Sequence, residues 1–389
     1  MIKHQEVGKK NYFNSISINM KISIIGIRGL PSTYSGFETF ISELAPRLVA
    51  KGHEITIYCR KSLYKDRPKI YNGMNMIYLP SIENKFFSTL SHSLFSVIHA
   101  TFKKNDIIFV VNAANGFFGI IPKIAGKKSV LNVDGMEWLR PKWNALGKWV
   151  FKTSAKFGTK VYDAIVTDAE EMHRLYAKDF GIDSMYIAYG ANIENSLGVA
   201  EINKYALKKN SYYFIASRLV PDNNADVIVE GFVKSNSEKY LVIAGGANYK
   251  GNKVEIDFYQ KLKSLSNDKV IFLGHINNPR DVIELHCNAF AYIHGHQYGG
   301  INPALLKALG CGNFILANDT PFNQEVLDNG KYGVLFPKNS DKISEIMKYY
   351  EEHPEQVDKF KKIAQTRIKE KFTWEIISDQ YEKLFKQLL

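Results

Sequence analysis

The sequence predicts an α/β protein built from two Rossmann-like domains that face a central cleft. Three observations predict it. The chain has 389 residues, enough for two full-sized cores. Short apolar runs ending in glycine or a polar residue alternate with helical patterns from Met20, and a second such series starts at Tyr212. A polar, turn-rich stretch at 194–210 separates the two series. The expected divisions are a flexible extension at 1–19, a first domain at 20–195, a second at 196–370, and a C-terminal helical segment at 371–389.

Composition narrows the class. Hydrophobic content is 45% and charged content 23%, as in ordinary soluble globular proteins. Cys59, Cys287 and Cys311 are too few and too scattered for a disulfide framework or a zinc site. There is no apolar run of 18 residues and no leader pattern, so the expected location is the cytoplasm. The net charge of +12 admits phosphorylated ligands, an anionic membrane surface or nucleic acid. Zinc-finger, aromatic RNP and helix-turn-helix patterns are absent, which argues against nucleic acid.

Met20-Lys-Ile-Ser-Ile-Ile-Gly26 reads as a buried parallel strand. The loop Arg28 to Gly36, a helix from Phe37 to about Lys51 and the strand Glu54–Cys59 complete the first βαβ unit. The loop is not a G-x-G-x-x-G fingerprint, so dinucleotide binding is disfavoured. Residues 84–104 read as an amphipathic helix with Phe87, Leu90, Leu94, Val97 and Ile98 at helical spacing. Core packing is the favoured reading for that face; a membrane-surface helix is the alternative. Strands at 106–111 and 128–133 follow, and Asp134 and Glu137 stand at the end of the second. Carboxylates there are candidates for orienting or deprotonating an acceptor hydroxyl. Lys148, Lys152, Lys156 and Lys160 make one stripe on the next helix, read as a solvated face or as one that meets anionic lipid. Asp168, after the strand at 162–167, is an N-cap or a cleft residue.

The second series is organised around 289–327. A strand at 289–293 breaks at His294-Gly295-His296, and the loop carries Gly299-Gly300. Asn302-Pro303 opens a helix over 304–309. A strand, a diglycine loop and a helix N-terminus can hold a diphosphate; an ordinary turn that needs glycine for geometry is the alternative.

These runs carry a resemblance. His294/His296, Gly299-Gly300-x-Asn302-Pro303-x-Leu305-Leu306 and Asn323-x-Glu325-Val326-Leu327 resemble the donor site of the retaining GT-B-fold glycosyltransferases of family 4. They look closest to a branch containing rhamnosyltransferases of bacterial polysaccharide assembly. The run Asn132-Val133-Asp134-Gly135-x-Glu137-Trp138, with Arg140 and Trp143, and the pair Tyr189-Gly190 match the same branch. The resemblance covers about residues 20–385 and implies that the C-terminal helix crosses back to the first domain.

It also implies a donor site made of Gly36, Arg218, His296, Gly299, Gly300, Asn302, Lys307 and Glu325, with Asp134, Asp168 and Tyr189 orienting the acceptor. Arginine suits a diphosphate because its planar fork binds two oxygens. No bound metal and no cofactor are expected, since the nucleotide sugar is itself a substrate. The implied partners are a nucleotide-sugar donor and a saccharide or polyprenyl-diphosphate-linked acceptor, with peripheral contact at the inner face of a membrane. Two departures stand out. The wider family has two glutamates eight residues apart where this chain has Gly299 and Lys307. A lysine follows the family's arginine by five residues, where this chain has Asn223. An ammonium cannot accept a hydrogen bond from a ribose hydroxyl, so either the nucleotide is held differently, or the donor is a deoxyribonucleotide, or activity is impaired; the resemblance puts dTDP-rhamnose first among donors. A catalytically impaired nucleotide-sugar-binding protein and a nucleotide-sugar epimerase of the same fold are the alternatives.

Overall fold

The computed structural model describes residues 19–31, 36–84, 87–133, 135–139, 143–246 and 253–389. Most of the expected extension, residues 1–18, and the candidate Asp134 lie outside them.

The first domain runs β1 (Lys21–Ile25), α1 (Gly36–Ala50), β2 (Glu54–Arg60), β3 (Ile70–Tyr71), β4 (Met74–Leu79), α2 (Ser88–Thr101), β5 (Ile107–Val111), α3 (Ile120–Ile124), β6 (Lys128–Val133), α4 (Ala145–Val161), β7 (Ala164–Thr167), α5 (Glu170–Phe180) and β8 (Met185–Tyr186). Its sheet has the order β3-β4-β2-β1-β5-β6-β7-β8, parallel but for the β3–β4 pair. A short helix, α6 (Ala200–Asn203), stands in the connecting stretch. The second domain runs β9 (Tyr212–Ala216), α7 (Ala225–Ser235), β10 (Tyr240–Ala244), α8 (Lys253–Leu265), β11 (Val270–Gly274), α9 (Pro279–Cys287), β12 (Ala291–His294), α10 (Pro303–Gly310), β13 (Ile315–Asn318), α11 (Pro321–Val326), β14 (Val334–Phe336), α12 (Ser340–Glu352) and α13 (Pro354–Arg367). Its sheet is all parallel, in the order β11-β10-β9-β12-β13-β14.

Both sheets are doubly wound, which explains why their central strands are largely apolar. All five residues of β5 are buried, because helices cover both faces. The chain winds away from β1 in one direction through β2 and in the other through β5; β9 plays the same part between β10 and β12. Ligands of such sheets sit outside the carboxyl ends of the strands at these switch points. The loops after β9 and β12 therefore mark a site before any side chain is considered.

The last helix, α14 (Trp374–Leu388), packs on α1 in the first domain. Thr373 caps it, accepting from the Ile376 N–H at 3.3 Å. Ala191 bridges to Thr373, and Gly190 leaves room for the Trp374 ring, which a Cβ there would strike. Tyr381 and Phe385 then reach Phe109 on β5, with ring centroids 5.3 and 5.5 Å away.

The face of α2 differs from the expected one. Of the five residues expected to line the core, Val97 alone is buried; Phe87 and Ile98 are exposed, and Leu90 and Leu94 lie between. The helix rests on its sheet through Ser91, His92, Ser93, Ser96, Val97, Ala100 and Thr101. Ser96 and Thr101 satisfy their hydroxyls on the helix's own carbonyls, at 2.7 and 2.8 Å. Small side chains bonded this way let the helix approach the sheet without its phenylalanines.

Candidate active site

The loop after β9 and the loop after β12 meet at the switch point of the second sheet. They are joined by amide side chains. Asn223 donates from Nδ2 to the Arg218 carbonyl at 2.7 Å, and its Oδ1 lies 2.8 Å from His296 Nδ1. Asn224, held at φ 51°, donates to the Gly295 carbonyl at 2.8 Å. Gln297 N–H donates to the Asp222 carbonyl at 3.1 Å. Gly295 permits this closeness, since a Cβ there would fall on the Asn223 carbonyl. From the other side, Asn323 donates to the carbonyls of His296 and Asn318, at 3.2 and 2.8 Å.

Between these loops lies a cavity of about 200 Å³, lined by Ser217, Arg218, Asn223, His294, His296 and Asn302 among others. The N-terminus of α10 borders it, adding the positive end of a helix dipole to the Arg218 guanidinium. Asn302 lines the cavity and caps this helix, its Oδ1 accepting from the Ala304 N–H at 2.9 Å. His294 ends β12 and is 3% exposed. Burial, reinforced by the neighbouring His296, keeps its pKa well below the ordinary histidine value, so the ring is neutral. Its Nδ1 lies 3.4 Å from the Tyr292 hydroxyl, and its buried Nε2 has no partner among the described residues. That nitrogen is available to a polar group of a ligand in the cavity.

Gly299 and Gly300 are one place where the two domains touch. Gly135, after β6, abuts the Gly299 backbone, so that a Cβ on Gly135 would lie 3.1 Å from Gly299 Cα. A Cβ on Gly300 would fall on the Asp168 carboxylate. Asp168 is 1% exposed, and it is not an N-cap, since Ala169 takes that position in α5. The structure thus brings Asp168 from the first domain against the diglycine loop of the second.

The other candidates lie elsewhere. Tyr189 is 5% exposed and packs edge-on against Phe40 at 5.1 Å, in the core beneath α1 rather than on the cavity. Gly36 opens α1 and faces open space. Lys307 is exposed on α10, outside the cavity lining. Glu325 on α11 accepts the Glu170 N–H at 2.8 Å, capping the start of α5 across the domain boundary. Burial raises its pKa, against the pull of Tyr186 and that N–H. Arg28 donates its backbone N–H to Glu38 at 2.7 Å, fixing the loop after β1.

Sequence reasoning missed the joining residues. Asn223 was weighed only as the place of a lost lysine, and Asn224, Gln297 and Asn323 were not singled out for a role. The signal was the Asn223-Asn224 pair after Pro221-Asp222, since asparagine tolerates positive φ and bonds neighbouring backbone.

Comparison with known proteins agrees with this geometry. Residues 200–367 match the model of glycosyl transferases group 1, and residues 19–192 match that of a domain of unknown function (DUF1972). An uncharacterized glycosyltransferase of Methanocaldococcus jannaschii is 27% identical over 264 residues, 63% of this chain and 64% of that protein. The sucrose-phosphate synthase of Thermosynechococcus elongatus superposes with a TM-score of 0.82 at 16% identity, covering 95% of this chain and 99% of that one. Anabaena HepE, solved in complex with UDP and glucose, gives 0.76 at 15% identity, covering 95% and 100%. The fold of the chain is thus the GT-B fold of glycosyltransferases. Its second domain, which carries the Arg218–His296 cavity, is the part that matches the glycosyl transferases group 1 model.

Proposed function

We propose that the protein transfers a sugar from a nucleoside-diphosphate sugar to a saccharide or polyprenyl-diphosphate-linked saccharide, at the cytoplasmic face of a membrane. The observation that carries this is the cavity at the switch point of a group 1 domain, with Arg218 and the start of α10 on an anion's side and neutral His294 on a sugar's side. Arg218 and the helix dipole stabilise the leaving diphosphate without a bound metal. Asp168 of the first domain lies against Gly300, in the loop after β12 that carries His296, and in this reading orients the acceptor hydroxyl. In a retaining transfer, the acceptor oxygen bonds the anomeric carbon on the face the diphosphate leaves, and its proton passes to the departing phosphate oxygen. The bond broken is that from the anomeric carbon to the same phosphate oxygen. An oxocarbenium-like transition state joins the two events.

We assign dTDP-L-rhamnose as donor. The support is the branch resemblance, together with Lys307 where the wider family has a ribose-binding carboxylate. The glucose-containing complex of HepE is a property of that protein and makes UDP-glucose the comparison donor.

A thermal-shift series with dTDP, UDP and GDP, free and as nucleotide sugars, tests both levels of the proposal. Native-state binding raises the melting temperature by mass action. Selective stabilisation by dTDP species, abolished in Arg218→Ala, is expected. Equal or better stabilisation by UDP species would sink the donor assignment and leave sugar transfer standing. No response to any nucleotide would favour a protein that has lost its donor site.

A further inference from the structure

The helix α2 turns its small polar residues inward and its aromatic residues outward, a distribution that its own sheet does not explain. Ser91, His92, Ser93 and Ser96 are buried, while Phe95, Ile98 and Phe102 are 37%, 38% and 81% exposed. Leu79, Phe95, Ile98, His99, Phe102 and Lys103 line a shallow hollow of about 440 Å³ on this face. The pattern continues on the helices beside it. Ile124, at the end of α3, is 80% exposed; on α4, Leu146 and Trp149 are 67% and 64% exposed. The helices are neighbours, since α3 packs on α2, and the Lys123 ammonium reaches the Lys160 carbonyl at the end of α4 at 2.5 Å.

Charge is distributed the same way. Residues 84–162 contain twelve Lys and Arg against three Asp and Glu, and so hold nine of the chain's net +12. None of the three acids lies on α2, α3 or α4. Apolar and basic residues alternate locally, as Phe102-Lys103-Lys104, Lys123-Ile124 and Lys148-Trp149.

We propose that the α2–α3–α4 face docks on an anionic lipid bilayer. Separate apolar side chains on three helices, each beside lysine, suit a headgroup layer: the rings enter the acyl boundary and the ammonium groups stay with phosphate. A protein interface keeps its charges at the rim of an apolar core and is poor in lysine, whereas here lysines alternate with the apolar side chains across three helices. The placement also serves the site. The chain leaves β6 at the edge where Gly135 meets Gly299 and then enters α4, so Leu146 and Trp149 lie toward the cleft. Docking by this face brings the cleft beside the bilayer that would hold a lipid-linked acceptor. Only that purpose rests on the sugar-transfer reading; the docking itself does not.

Flotation of the full chain with phosphatidylcholine vesicles, with and without phosphatidylglycerol, tests the proposal without donor or acceptor. Binding to the anionic vesicles alone is expected, weakened by high salt, with a blue shift of Trp149 emission that Trp149→Phe removes. The combined variant Phe102→Ser, Ile124→Ser, Trp149→Ser is expected to lose at least about tenfold in vesicle affinity, with its dTDP-induced thermal shift unchanged. Charge reversal at Lys103, Lys104 and Lys123 is expected to abolish binding. Failure to float with anionic vesicles would overturn the proposal, as would binding that the serine variant leaves intact or that gives no Trp149 shift. A protein that floats as expected yet ignores every nucleotide would leave the docking face standing and remove the sugar-transfer reading.

Discussion

Helices α2 and α14 both cover the first sheet, and they do so in opposite ways. They lie on opposite faces. The crossover from β1 to β2 through α1 and that from β4 to β5 through α2 run in opposite directions along the sheet, and right-handed connections then fall on opposite sides. Helix α14 joins α1 on its side. It buries Trp374, Ile377, Tyr381, Leu384 and Phe385 and turns Glu375, Asp379, Glu382 and Lys386 outward. Its acids pair with α1 and the turn after it: Glu382 with Lys51 at 2.8 Å and with His53 at 3.2 Å, and Glu375 with Arg47 at 3.1 Å. By contrast α2 buries serines and shows phenylalanines. The first arrangement puts the apolar payload into the fold; the second leaves much of it at the surface. The difference teaches that amphipathic spacing gives a helix two faces, and does not say which one meets the sheet.

Three changes would break or sharpen this contrast. The largest effect is expected on the α14 side, where Phe385→Ala empties a fully buried site against Phe109 and Tyr381 and should cost about 3–5 kcal/mol in denaturant unfolding. A smaller loss follows removal of the charge on Glu382. Burial pushes that carboxyl up, but Lys386 and Lys51 outweigh it and hold it down at about 2. A lowered carboxyl pKa stabilises the fold above the ordinary carboxylate range, and that stability is lost as pH falls toward 2. Glu382→Gln should cost about 1 kcal/mol at neutral pH and flatten the acid limb of the stability profile; an unchanged limb would mean that the cluster contributes nothing. The smallest effect is expected on α2. Phe102→Ser should change stability by less than about 0.5 kcal/mol, because the ring is 81% exposed. A loss comparable to that of Phe385→Ala would place Phe102 in the core and erase the contrast.

Most of the fold was legible in the sequence. Strands such as Ile107–Val111 are continuous apolar runs, which parallel sheets require, and the caps Asn302 and Thr373 stand before their helices as capping chemistry demands. Much of the candidate site was legible as well, since Arg218, His296 and Asn302 line one cavity. What escaped depended on tertiary partners. Asp168 reads as an N-cap or a cleft residue, and the group that caps α5 is instead Glu325, 155 positions from the Glu170 N–H it accepts. Tyr189 looked like a cleft residue because Tyr189-Gly190 stands near the domain boundary, yet Phe40 takes up its ring and Gly190 serves Trp374. Periodicity could not show that this polar face of α2 meets the sheet, because Ser96 and Thr101 bond back onto the helix and so need no outside partner.

The contact at Gly135, Gly299 and Gly300 has a consequence for how the two halves of the molecule can vary. Main chain meets main chain there, with one carboxylate beside it, so the separation of the halves is gauged by atoms common to every residue. A methyl group added at Gly300 is a wedge driven into the joint, and one added at Gly135 presses on the Gly299 backbone. Drift in the surrounding loops can be absorbed by side-chain repacking, but drift at these positions cannot, because there is no side chain to repack. The joint acts as a mechanical stop: at this point it limits how far the halves can approach.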